Sequence, residues 1–289
     1  MEHHKNGLSL RNGAMRCEIA PHLGGSVAGL WCRDTPVLQS TSAHLLPTVR
    51  QAACFALVPY SNRIGNGHMR WQEVDYAIRK NFAPEPHAIH GLGWERPWQV
   101  QQQSQTQAVL ALEHSADADW PFSFNAEQTL ALQPDALHMT LSITNTAARV
   151  VPAGLGWHPY FVKRKGATLS FESTGRWEMG ADSLPTQRTP MPAKHYACNH
   201  LSIDHCFDGW SGVAVLEDAL HCCTIRSNLS RLVAYTQPQH NCIALEPVSH
   251  VNNALQLAGR PLTLQELGVH LLQPGETWAC HMHISVEAR

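Results

Sequence analysis

Residues 124–145, FNAEQTLALQPDALHMTLSITN, decide the fold class. FNAEQTLAL and ALHMTLSITN each alternate with a period of two, the signature of strands with one face buried, and Gln133-Pro134-Asp135 between them reads as a turn. The same signal recurs on both sides. Leu8 and Leu10, then Met15, Cys17 and Ile19, flank Asn12-Gly13, the dipeptide favoured in a two-residue hairpin turn. AVLALEH (108–114), ATLSFES (167–173), GVAVLED (212–218), LVAY, CIALE and the terminal TWACHMHISVEA extend the series. No segment holds a 3.6-residue period over three turns. Many short strands, with 19 Gly and 18 Pro to punctuate them, predict an all-β antiparallel sandwich or barrel. The glutamine-rich stretch 100–107 reads as a solvated strand end or turn.

Length alone leaves the domain count open, because β-sandwiches often exceed 200 residues as one unit. With no repeat and no shift in composition to mark a linker, residues 1–289 read as a single domain. Hydrophobic residues make up 44% and charged residues 15%, enough apolar surface for a large core and little sign of disorder. A net charge of −2 without a block of Lys or Arg argues against nucleic acid and favours a small neutral ligand. The start, MEHHKNGLSLRNG, has no apolar leader and no run is long enough for a membrane helix, so the expected location is the cytoplasm with no membrane partner. Nine cysteines, an odd number without a CxxC pair, predict reduced and mostly buried thiols.

Four segments carry more polar, Gly, Pro and aromatic residues than a plain strand needs: 54–67, 87–98, 154–161 and 242–254; a fifth, 203–210, is shorter. Taken singly, their side chains also suit plain roles: Arg63 a surface ion pair, His90 a capped loop histidine, Asp204 a turn. His158 and Glu246 stand apart. Each precedes a proline, Pro159 and Pro247, and a residue before proline is driven into extended geometry. In GLGWHPYF the period of two places Gly154, Gly156 and His158 on one face, so two absent side chains leave space for a ligand beside the histidine. In CIALE it sends Cys242, Ala244 and Glu246 one way and Ile243 and Leu245 the other, which suits a carboxylate lining a pocket.

In this order, VPYSNRI (58–64), HGLGW (90–94), HPYF (158–161), DHCF (204–207) and LEP (245–247), with PGE (274–276) before the last strand, the chain resembles the aldose 1-epimerases or galactose mutarotases over nearly its whole length. The resemblance implies a large antiparallel β-sandwich, the galactose mutarotase-like supersandwich. It also implies that His158 is the general acid and Glu246 the general base, that Arg63 and His90 contact the sugar's hydroxyls or ring region, and that Asp204 binds a hydroxyl. Asp208, four residues on, is the alternative to Asp204. No cofactor and no metal are expected, the partner is a small-molecule sugar, and the protein is a monomer or homodimer.

The chemistry supplies its own reason for an acid and a base. A carboxylate takes the proton of the anomeric hydroxyl while an imidazolium protonates the ring oxygen as the ring opens. Rival readings have footholds of their own. Gly275, His281, His283 and Glu287 match the first half of a cupin metal motif, although the second half finds no room before Arg289. A sugar sensor needs Arg63, Asp204 and aromatics but no acid or base. A hexose 6-phosphate epimerase, or a sugar lyase, needs clustered cations, for which Arg63, Arg70, Arg96 and the trio Lys163, Arg164 and Lys165 are the candidates.

Overall fold

The computed structural model describes residues 7–191, 194–259 and 262–289. Phe124–Leu132 and Ala136–Asn145 form the expected hairpin, Phe124 opposite Asn145 and Leu132 opposite Leu137. The alternation is real. Phe124, Ala126, Gln128, Leu130 and Leu132 point inward from one strand, and Leu137, Met139, Leu141, Ile143 and Asn145 from the other.

The hairpin sits inside a nine-stranded antiparallel sheet. Its order is Gln99–Gln103, Gln107–His114, Phe124–Leu132, Ala136–Asn145, Thr277–Ala288, His221–Ser227, Val213–Glu217, Thr168–Phe171 and Lys194–Ala197. A second sheet, of eight strands, runs Pro185–Pro190, Gly175–Met179, Ile203–Asp208, Arg231–Thr236, Cys242–Val248, Gly156–Trp157 and Ala56–Leu57, with Tyr160–Val162 also pairing Cys242–Val248. The N-terminal strands Leu8–Asn12, Met15–Ala20, Ser26–Cys32 and Thr35–Pro36 make a four-stranded sheet. The fold is the large antiparallel β-sandwich that the alternation predicts.

Two details differ from the sequence reading. Asn12 pairs with Met15, so the first turn is Gly13-Ala14 and not Asn12-Gly13, with Gly13 taking the positive φ of 56° at its first central position. The second sheet also reaches through 175–197, where short strands of mixed polarity gave no period to read.

The inner face of the nine-stranded sheet packs on one face of the eight-stranded sheet. Leu130, Leu141 and Ile284 from the first join Trp157, Phe207, Leu232, Ile243 and Leu245 from the second in one apolar cluster. The opposite face of the eight-stranded sheet is covered too. Trp177, Cys206, Val233 and Val248 lie in a second cluster with Phe55, Leu57, Ile89 and Trp94, which come from the segments 54–67 and 87–98. Strand Cys242–Val248 is therefore buried on both sides, and Glu246 lies on the side away from the main core. All nine cysteines are free, seven of them buried. Among the described residues no helix is long and apolar enough to cross a membrane.

Candidate functional site

The two residues that precede prolines meet. Gly156 lies opposite Val248 and Tyr160 opposite Ala244, so the register between these rungs sets His158 against Glu246. Residues opposed across an antiparallel pair project to the same face. His158 Nε2 accordingly lies 3.2 Å from Glu246 Oε1. The neighbouring backbone holds the rung in place: the His158 N–H donates to Phe55 O (3.0 Å), and the Leu245 N–H donates to Pro159 O (3.3 Å). Trp157, on the other face, anchors the histidine's strand. Its indole N–H donates to the buried Gln128 Oε1 (3.2 Å), while Gln128 Nε2 donates to Gly25 O (2.9 Å).

The glycines do not leave ligand space, contrary to the sequence expectation. A side chain at Gly154 would strike the His250 ring, within 2.2 Å, and one at Gly156 would strike Pro247 O, within 2.6 Å. They are small because protein already fills the room. The His250 ring is fixed there, accepting from the Ser61 N–H at 3.1 Å.

Arg63 and His90 reach the pair from a short ladder in which Arg63 opposes Ile89 and Ile64 opposes Ala88. His90 takes a left-handed backbone (φ 62°) and its N–H donates to Asn62 O (2.8 Å). Such backbones are uncommon outside glycine and concentrate at functional positions. Its ring stands edge-on to His158, centroids 5.1 Å apart. Arg63 donates through Nε to Glu85 Oε1 (2.8 Å).

Asp204 opposes Tyr235, which opposes Ala244, so it shares the Glu246 face one rung pair away. Asp208 is engaged elsewhere. It accepts from Trp177 Nε1 (3.0 Å) and from Arg188 Nε (2.8 and 2.9 Å), the bonds of a structural ion pair.

Burial governs the charges. Desolvation pushes the Glu246 carboxyl well above its ordinary range; Asp204 adds to this and Arg63 opposes it. Desolvation pushes His158 down to about 3. His90 falls well below its usual value, first by burial and then by the nearby His158 and Arg63. Asp204 is raised by burial, against the pull of Arg63. An imidazolium facing a carboxylate, the resting state expected from sequence, therefore gives way to its neutral tautomer. One proton rests on Glu246 against an uncharged His158.

Three buried polar atoms of this group, His90 Nδ1, His158 Nδ1 and Glu246 Oε2, have no hydrogen-bond partner. Buried polar atoms are nearly always paired, so an orphaned cluster marks groups held ready for something else.

Three neighbours escaped the sequence reading. Tyr160 stacks on His158 (4.4 Å, 28°) with its hydroxyl 3.3 Å from Nε2. The period of two that placed His158 also places Tyr160, so its position was available. Phe55 (4.9 Å from His158) and Glu85 come from distant segments and only folding brings them in.

The other candidate clusters do not converge on the pair. Lys163 Nζ donates to Gln237 O (2.6 Å) and Thr236 Oγ1 (3.1 Å), Arg164 to Asp218 Oδ2 (2.9 Å), Arg70 to Glu73 (2.8 Å) and Arg96 to Asp117 (3.1 Å). His281 contacts Thr140 Oγ1 through Nδ1 (3.0 Å), and His283 stacks on His138 at 3.8 Å. Among the described residues no three His, Cys, Asp or Glu side chains are grouped to hold a metal ion.

Comparison with known proteins agrees with this frame. The sequence model of the aldose 1-epimerase family matches residues 7–285. The uncharacterized protein YphB of Escherichia coli K12 is 29% identical over 222 residues, 72% of each chain. A candidate aldose 1-epimerase from Escherichia coli K12 superposes with a TM-score of 0.85 at 24% identity, covering 98% of this chain and 99% of that one. A galactose mutarotase-like protein from Clostridium acetobutylicum gives 0.85 at 18% identity, covering 98% and 95%.

Proposed function

Since the chain belongs to the aldose 1-epimerase family, we propose that it interconverts the α and β anomers of a free aldose, with Glu246 and His158 moving the protons. The observation that carries this reading is the buried, directly opposed acid and base, 3.2 Å apart, with orphaned polar atoms around them. A sensor has no use for such a pair.

Catalysis starts with a proton shift. Sugar hydroxyls supply the partners that burial withholds, and Arg63 favours the Glu246 carboxylate, so the proton crosses to His158. Glu246 then takes the proton of the anomeric hydroxyl, the C1–O5 bond breaks as the C1 carbonyl forms, and His158 gives its proton to O5. The open chain now faces the neutral pair, the form burial stabilises. Rotation about C1–C2 presents the other carbonyl face. Reclosure returns the O5 proton to His158 and the Glu246 proton to O1. Both residues are reset, with no cofactor in the cycle. Each group contributes roughly 10²- to 10⁴-fold, about 3 to 5 kcal/mol. Arg63, His90 and Asp204 hold the sugar in this reading.

Polarimetry or exchange NMR over a panel of free aldoses and their 6-phosphates tests the proposal. Acceleration of at least one free aldose is expected. Binding of sugars without acceleration replaces the enzyme with a sensor, and acceleration confined to the phosphates replaces the substrate class.

The pH dependence follows from the shared proton. Below their ordinary range both groups would be protonated, a net positive charge that burial resists, so the acidic limb moves down. Losing the proton leaves a buried negative charge, so the basic limb moves up. The two limbs belong to the pair rather than to either residue. We expect kcat/KM to be level across the interval between the unperturbed values, about 4.3 and 6.5, and beyond it on both sides. A narrow bell inside that interval contradicts the shared-proton description.

Asp204→Asn is expected to raise KM several-fold while changing kcat less, the mark of lost uniform binding. Asp208→Asn, which loses the Arg188 bonds, should lower stability and leave KM in place. The reverse pattern reassigns the hydroxyl contact to Asp208.

A further inference from the structure

A cavity of about 350 Å³ opens on the far side of Tyr160 from His158, walled by Gln39, Thr41, Gln51, Tyr160, Asn241 and Cys242. It continues the Glu246 face of strand Cys242–Val248, because Cys242 and Ala244 share that face and Tyr160 lies opposite Ala244. The Tyr160 ring is the partition: it lines the cavity, and its hydroxyl lies 3.3 Å from His158 Nε2. A ligand bridging both compartments keeps one end within reach of the acid and base.

The walls define its chemistry. The side chains of Gln51 and Asn241 and the Thr41 hydroxyl make no hydrogen bond within the chain among the described residues, whereas Gln39 Nε2 donates to Asn241 O (3.0 Å). Arg50 is the one charged side chain on the wall, and its guanidinium is spread over the Phe82 ring at 3.9 Å. Neutral amides and hydroxyls match sugar hydroxyls. A phosphate calls for clustered cations, and an apolar group would leave each polar wall group it desolvates unpaired, at about 1 to 3 kcal/mol. The volume is at the lower end of the roughly 300 to 1,000 Å³ of small-molecule sites, a fit for one pyranose ring.

Resting on the anomer-exchange reading above, we infer that this cavity is a second sugar subsite and that the preferred substrate is a reducing disaccharide. Ring opening needs a free anomeric hydroxyl at Glu246. Whatever fills the cavity is therefore attached at another carbon of the reacting ring, which places the reducing-end ring at His158 and Glu246 and the second ring beyond Tyr160.

The test measures mutarotation kinetics for glucose and for cellobiose, lactose, maltose and melibiose, which share a glucose reducing end but differ in the second ring or its linkage. At least one disaccharide is expected to show a KM at least about tenfold below that of glucose, equivalent to about 1.4 kcal/mol. Gln51→Ala and Asn241→Ala alter exposed side chains and should leave the fold intact. Each is expected to bring the disaccharide KM at least threefold closer to that of glucose. The subsite is overturned if glucose is turned over while every disaccharide has an equal or higher KM, or if both substitutions leave the preference unchanged. Acceleration of neither class overturns the anomer-exchange function itself, and the subsite with it.

Discussion

Glu246→Gln and His158→Asn are each expected to lower mutarotation turnover by at least about 100-fold, with sugar binding still measurable by calorimetry. Gln keeps the shape of Glu246 but cannot accept the anomeric proton, and Asn keeps a polar side chain without a titrating ring. The two groups hold one proton between them across 3.2 Å, so removing either abolishes the same transfer. The double substitution should therefore be little worse than the poorer single one, because residues acting as a unit are not additive. Neither change should unfold the protein. Both groups are buried with atoms unpartnered, and their neutral replacements relieve the desolvation that raises one pKa and lowers the other. Equal or raised stability beside lost turnover is the signature of residues kept for chemistry. Near wild-type turnover in either variant, on a sugar the native protein demonstrably mutarotates, refutes the assignment.

Much of this geometry was written locally. Period-two alternation in 124–145 fixed both the strands and their inward faces, since burying one face of a strand demands that pattern. Proline after His158 and after Glu246 marked extended backbone for both. What it could not mark was that the two prolines lie in strands whose register makes the preceding residues face each other, a long-range pairing. The glycines misled for the same reason. An absent side chain says that something needs the room, but only the tertiary fold says that His250 and Pro247, rather than a ligand, occupy it. Charge state was illegible as well. Ordinary pKa values suggested an ion pair at rest, and burial on both faces of the second sheet reverses the tautomer. Asp204 and Asp208 were indistinguishable by spacing, since they share one face of one strand. Arg188 and Trp177, from strands that gave no readable period, separate them.

Gly91→Ala carries the other large expected effect. Gly91 has φ 72°, follows His90 at φ 62°, and a Cβ there would lie 2.2 Å from Val58 O and 2.6 Å from its carbonyl carbon. That obstacle is backbone. Val58 O already accepts from the Leu92 N–H (3.1 Å) and the Gly93 N–H (3.0 Å), so it cannot retreat without loosening the loop that carries His90. Left-handed strain of about 1 to 3 kcal/mol and crowding of about 1 to 3 kcal/mol together predict a loss of about 2 to 5 kcal/mol in urea unfolding. Gly166→Ala separates the two causes. Gly166 also has a positive φ, 81°, but nothing lies within 4 Å of its would-be Cβ, so only the backbone strain applies. Turnover should follow the crowding: the Gly91 variant displaces His90 from its edge-on contact with His158 and loses activity at temperatures where it is still folded, while the Gly166 variant keeps it. If the two variants lose equal stability and both retain full turnover, the close approach of Gly91 to Val58 does not position His90.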